Sequence, residues 1–196
     1  ELTEREKKII ERWIEQGAEW ETHWAYNPPV KRNPKTHDLD EWGTHMIDRF
    51  IGNKMFKVGL KPSAKASKEI MLRRLYFDLI GLPPSVSQIN FYLNDDSKNA
   101  YEKVVDSLLQ SPSYGERMAS IWMDIARYAD TNGYQDDTQR FMWPWRDWVI
   151  HAYNKNLPYD KFVTWQLAGD LIPEATKEQI LATGFNRNHM ITQEGG

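Results

Sequence analysis

The chain is 196 residues long, carries a formal net charge of −3 and contains no cysteine. This near-balance of charge leaves no electrostatic footprint for nucleic acid, no apolar run is long enough to span a bilayer, and the lack of thiols excludes disulfides, thiolate zinc sites and covalent haem attachment within these residues. Hydrophobic residues at 40% and charged residues at 27% suit one sizeable core, or a main domain with an appendage, and nine tryptophans with nine tyrosines require a large core or a surface that stacks on something.

In chain order the pattern is a string of helices. Glu1 to Arg5 read as the interior of a longer protein and hold no signal peptide. Thr3 and Glu6 form a T-x-x-E capping box, Ile9, Ile10, Trp13 and Ile14 share one face, and Gly17 closes that helix. From Trp20 to Gly43 the periodicity dissolves around Pro28, Pro29 and Pro34, which predicts an extended linker lying on a neighbour. Helical spacing returns at Met46, Ile47, Phe50, Ile51, Met55 and Phe56, with Gly59 as the stop. Ser67 caps an amphipathic helix that ends at Gly81, Pro83-Pro84-Ser85 restarts another, and Tyr101 to Leu109 gives the next. A helix from about Tyr114 to Ala129 leads into a polar loop, Asp130 to Thr138. Pro144 is placed as a first helical residue for Trp145 to Asn154. Pro158 to Leu167 and Glu178 to Thr183 complete the set. Period-2 alternation is nowhere sustained, so the predicted class is all-α: an irregular multi-helix bundle with an extended, Pro-containing linker near its N-terminus.

Several strings together resemble one family. They are His23-Trp24-Ala25-Tyr26 with Pro28-Pro29, Ile47-Asp48-Arg49-Phe50-Ile51, Gly59-Leu60-Lys61-Pro62-Ser63, and Leu72-Arg73-Arg74-Leu75 running through to Pro83-Pro84. Ser111-Pro112-Ser113-Tyr114-Gly115-Glu116-Arg117, Asp124 to Asp130, Trp145 to Val149, Leu157 to Phe162, Gln166 to Asp170 and Thr183 to Asn188 extend the series over nearly the whole chain. The sequence resembles the cytochrome-associated domain of unknown function found in large exported proteins of planctomycetes and their relatives. On that resemblance, residues 1–20 are the terminal helix of a preceding planctomycete-type cytochrome c domain, 21–43 the linker, and 44–196 the helical domain, cut short at its C-terminal end. It further implies a periplasmic or extracellular, multi-domain, haem-bearing parent. Haem c would be attached outside this chain, through C-x-x-C-H motifs beyond the closing glycine pair and in the domain upstream, so the adjoining haem-bearing segments are the expected partners. The family's company with polysaccharide-degrading systems adds a polysaccharide as a candidate partner.

Two segments concentrate chemistry. In the loop, Asp130, Asn132 and Asp136 supply oxygen donors at spacing like the start of a calcium loop, although Tyr134 interrupts the alternation and Gln135 stands where glycine is needed. The alternatives are a capped helix end with a solvated turn, or a pocket wall shared with Arg127, Tyr128 and Tyr134 that takes a sugar or a haem propionate. The closing stretch offers Asn186, Arg187, Asn188, His189 and Glu194 ahead of Gly195-Gly196. Arginine's planar fork matches paired oxygens, and His189 is either an axial ligand or acid–base group, or a structural histidine bonded to backbone. Arg127, Tyr128, Asn186, Arg187 and His189 are thus the candidate cofactor-facing residues. Trp143 to Trp148 is the densest aromatic cluster, either core at helical spacing or a stacking face for glycans. His151, beside Trp148 and Tyr153, reads as packing. The embedded charges Arg73, Arg74, Asp78, Arg117, Asp124, Arg127 and Asp147 read as ion pairs fastening helices. Asp124 with Asp130 is the available carboxylate pair for hydrolysis, but no spacing fixes a catalytic group.

Overall fold

A computed structural model describes residues 2–33, 42–43 and 45–191, and among these it contains nine α-helices and no strand. The all-α expectation holds. The chain divides between residues 64 and 65 into two compact units.

In the first unit, α1 (Glu4–Glu15) opens on the predicted box: Thr3 Oγ1 accepts from Glu6 N at 3.3 Å, and the Glu6 carboxylate accepts from Thr3 N at 2.7 Å. Its apolar residues Ile9, Ile10, Trp13 and Ile14 are exposed. Within the predicted linker, Trp24–Tyr26 form a short 3-10 turn, with His23 Nδ1 accepting from Ala25 N. Helix α2 (Met46–Lys57) is capped by His45, whose Nδ1 accepts from Ile47 N at 3.2 Å. His37 lies outside the described residues.

The second unit holds two apolar clusters. Helices α3 (Lys68–Leu79), α4 (Val86–Leu93) and α5 (Ala100–Leu109) bury Leu72, Leu75, Tyr76, Tyr92, Ala100 and Leu108. Ser67 caps α3, and Ser85 forms a capping box with Gln88 on α4. Helices α6 (Pro112–Ile125), α7 (Trp143–Asn154), α8 (Tyr159–Ala168) and α9 (Lys177–Ala182) surround the larger cluster. There Trp145, Trp148, Val149, Ala152 and Phe162 meet Ala119, Ala126 and Ala182. Small residues facing large ones let these short helices approach closely.

Boundaries shift where local chemistry outweighs periodicity. Ser111 caps α6 and admits Pro112 in its first turn, two residues ahead of the expected start. The same helix stops at Ile125 rather than Ala129 because Arg127 adopts φ +56°, in the left-handed region. Arg127 N then donates to Asp124 O, and Tyr128 N to Met123 O, completing a Schellman ending. Among the described residues, the predicted interhelical ion pairs do not form. Arg73, Arg74, Asp78, Arg117, Asp124, Arg127 and Asp147 are all exposed, and among the described residues Asp147 pairs only with its neighbour Arg146, at 2.8 Å. His151 is likewise exposed rather than packed, 3.4 Å from the Glu178 carboxylate that also accepts from Lys155.

Candidate functional site

The end of α6, the loop that follows it, the start of α7 and the closing segment come together at one end of the larger cluster. The loop is a small hairpin-like arch. Arg140 N donates to Asp130 O at 2.9 Å, Thr131 bridges Gln139, and Asn132 N donates to Thr138 O at 3.0 Å. Asn132 Nδ2 adds a 2.6 Å bond to Thr138 Oγ1. At the tip, Gly133 N donates to the Asp137 carboxylate at 2.6 Å, while Gly133, Gln135 and Asp137 all take positive φ. Such a tight reversal needs left-handed residues, and the side-chain bonds of Asp137 offset part of their strain.

Asp130 is the hinge of this arch. One carboxylate oxygen accepts from the Tyr128 hydroxyl at 2.6 Å, and the other from Met142 N at 3.1 Å, just ahead of α7. Tyr128 lies against the buried Trp145 ring, with centroids 6.0 Å apart. Its phenol is pushed up to about 12, chiefly by burial, then by the bond to Asp130 and that group's negative charge, against a smaller downward pull from Arg146. The sign for stability follows. An unfolded tyrosine ionises near its ordinary value of about 10, so the folded state's advantage is complete below that and is lost as pH rises toward about 12. The expected result is a phenolate absorbance step near pH 12 that is absent in Tyr128→Phe and moves down in Asp130→Asn. A titration superimposable on the parent's in both variants would contradict the assignment.

The closing segment folds over the arch. Thr183–Arg187 form a 3-10 turn. Phe185 sets its ring against Trp145 and Trp122, at 6.1 and 6.3 Å. Ile191 N then donates to Asn132 O at 3.2 Å, and Arg140 Nη1 to His189 O at 3.1 Å. Beneath lie buried polar atoms with no hydrogen-bond partner among the described residues: Arg140 Nε, Trp145 Nε1, and both side-chain amide atoms of Asn188. Unmet polar atoms of this kind are costly in a protein interior.

The predicted residues therefore divide. Tyr128 and Asp130 are in contact, and Asn132 is held in the arch, whereas Arg127, Asp136, Asn186, Arg187 and His189 are exposed. Asn186 Nδ2 donates to Leu167 O, and His189 Nδ1 lies 3.0 Å from Asn186 O. Both Asp130 oxygens are engaged by protein donors, and among the described residues no three His, Cys, Asp or Glu side chains stand close enough to hold a metal ion. Glu194 lies outside the described residues. Sequence reasoning missed Arg140, Met142 and Gln166. Gln166 is buried, accepting from Trp122 Nε1 and donating to Phe162 O, each at 2.9 Å. A glutamine on the apolar face of a helix was the available cue.

The family model described as PSCyt2, a protein of unknown function (DUF1549), matches residues 46–196. No curated protein and no solved structure matches the chain.

Proposed function

The chain belongs to the PSCyt2 (DUF1549) family through residues 46–196, and from that premise we propose that it is the helical domain of an exported, multi-domain c-type cytochrome. In this reading its closing segment and the α6–α7 arch form one wall of a haem site carried by adjoining segments of the parent. The role is electron transfer or oxidative chemistry on an extracellular substrate. The observation that carries the reading is the state of His189. A carbonyl oxygen only accepts, so Nδ1 is the donor in the 3.0 Å contact with Asn186 O, and Nε2 of this exposed ring makes no hydrogen bond among the described residues and would be the nitrogen that ligates.

Further support comes from two exposed arginines of the same unit. Arg187 and Arg127 are exposed guanidinium groups suited to propionate oxygens. Arg127 holds φ +56°, which a glycine would take without strain and which costs an arginine about 1–2 kcal/mol. The donors of this end of the fold thus fit an anionic, planar group with a ligatable centre. His189 would offer the imidazole nitrogen, and Arg127 and Arg187 would neutralise carboxylates. Tyr128, locked to Asp130, would hold the wall in place. Haem, when bound, supplies one-electron chemistry. The competing picture of the Trp143 to Trp148 cluster as a glycan-stacking face loses two of its three rings, because Trp145 and Trp148 are only 2% and 4% exposed.

The test is the absorbance spectrum and midpoint potential of the full-length parent protein. His189→Ala is expected to shift the potential by on the order of 100 mV, since axial ligation governs it, and Arg187→Ala to shift it less without changing the ligand bands. An unchanged spectrum and potential in both variants would overturn the reading.

A further inference from the structure

A cavity lies among α3, α4 and α5. It has a volume of about 330 Å³, at the small end of the range for ligand pockets, and is sized for one ring rather than a chain. Its floor is Tyr76 and Tyr92, 6% and 4% exposed, with Ala100 keeping the space open between them and the start of α5. Ser87 and Phe91, one turn apart on α4, form one wall; Lys103 and Ser107, one turn apart on α5, form the other. Phe91 is exposed at the lip, which leaves an aromatic face turned to whatever enters.

The polar groups of the cavity fall into two kinds. Its charges are already paired: Lys103 Nζ donates to Asp95 at 3.0 Å and to Ser97 Oγ at 2.9 Å. Hydrogen bonds from Ser97, and Lys103 after them, hold the Asp95 carboxyl down at about 2. Just outside, Lys68 lies near Asp96 and over the Tyr92 ring at 5.9 Å. The site therefore has no net charge to offer an ion. Its phenols, in contrast, have no protein partner: neither Tyr76 nor Tyr92 hydroxyl is hydrogen-bonded among the described residues, and neither is a fully buried atom, so both are open to the cavity's solvent. Burial raises both phenols, with the neighbouring Tyr101 and the negative charge of Glu102 adding at Tyr92. A nearly buried tyrosine normally finds a partner for its hydroxyl. Two that open onto one cavity without a protein partner suit a ligand that both donates and accepts, as an alcohol does.

We propose that this cavity binds a neutral, hydroxyl-bearing ring, one pyranose or furanose unit, with its hydroxyls on Tyr76, Tyr92 and the two serines and its C–H face against Phe91. The inference stands apart from the haem reading, since none of these residues belongs to that end of the fold. A free sugar and the terminal unit of a glycan present the same ring. The full chain is therefore titrated with methyl glycosides of neutral hexoses and pentoses, with short neutral oligosaccharides, and with the matching uronic acids and sugar sulfates, by saturation-transfer NMR and calorimetry. The expected result is saturable binding of at least one neutral sugar, with the charged counterparts at least tenfold weaker. Tyr76→Phe and Tyr92→Phe, which remove no internal bond, are each expected to lower affinity by about three- to tenfold, the worth of one hydrogen bond, and Phe91→Ala to lower it as well. Better binding of oligosaccharides than of methyl glycosides would identify a glycan terminus as the source, and equal binding a free sugar. Absence of saturable binding across the neutral panel, preference for the charged sugars, or unchanged affinity in both phenylalanine variants with the fold intact would each overturn the proposal.

Discussion

Trp148→Ala is expected to lower the unfolding free energy by about 3–5 kcal/mol. Trp148 is buried at the centre of the larger cluster, its ring stacked on Phe162 at 5.5 Å and 14°. Phe162 in turn meets Trp122 at 5.1 Å and Tyr153 at 5.4 Å. Truncation removes the contacts of an entire indole from a region where four helices converge, and helices pinned by neighbours collapse only partly into the space. The matched control is Trp143→Ala: that side chain begins the same helix but is half-exposed, and its removal should cost under about 1 kcal/mol. Urea unfolding followed by near-ultraviolet circular dichroism reads both. A loss at Trp148 no greater than at Trp143 would show that this ring is not part of the principal core.

Gly115→Ala is expected to destabilise by about 2–3 kcal/mol, although alanine is the better helix former. In isolation the exchange favours α6 by about 1 kcal/mol. Here, however, a Cβ on residue 115 would collide with the backbone carbonyl of Ile150 and with the Asn154 side chain on α7. A carbonyl within a helix cannot step aside, so α6 and α7 must separate. Asn154 then loses its bonds to Gly115 N at 2.9 Å and Pro112 O at 3.1 Å, which staple the two helices. Overpacking together with two lost bonds outweighs the propensity gain. Chemical denaturation measures the net sign, and a stabilised Gly115→Ala variant would mean that the two helices are free to move apart.

The helices that were legible were those whose signals are local. Thr3 with Glu6, Ser67, and Pro83-Pro84-Ser85 each mark a start through bonds that reach three residues along the chain, and the structure uses all of them. The misjudged features depend on partners far away in sequence. The charges set into apolar stretches read as buried pairs, yet they lie on solvent faces, because a helix of 3.6 residues per turn carries a charge between two apolar residues round to its outer side. Arg127 ended α6 early through its backbone angle, and nothing in residue type signals a left-handed arginine. Of the candidate site, Tyr128 and Asp130 were within reach of sequence reasoning because they stand two residues apart. Arg140, which joins the arch to His189 across 49 residues, was not.

What the sequence by itself determined is the class and much of the inventory: an all-α chain, several of its caps, and the two polar segments. These follow from periodicity and from hydrogen bonds spanning a turn, which are properties of neighbours. Only the tertiary structure decided that the Asp130 oxygens serve the arch through Tyr128 and Met142, that Trp145 and Trp148 are buried, and that His189 keeps one nitrogen outward. It alone revealed the hydroxyl-lined cavity among α3, α4 and α5. The reason is physical: which donor meets which acceptor, and which ring is left without a cover, is set by how helices distant in the chain pack against one another.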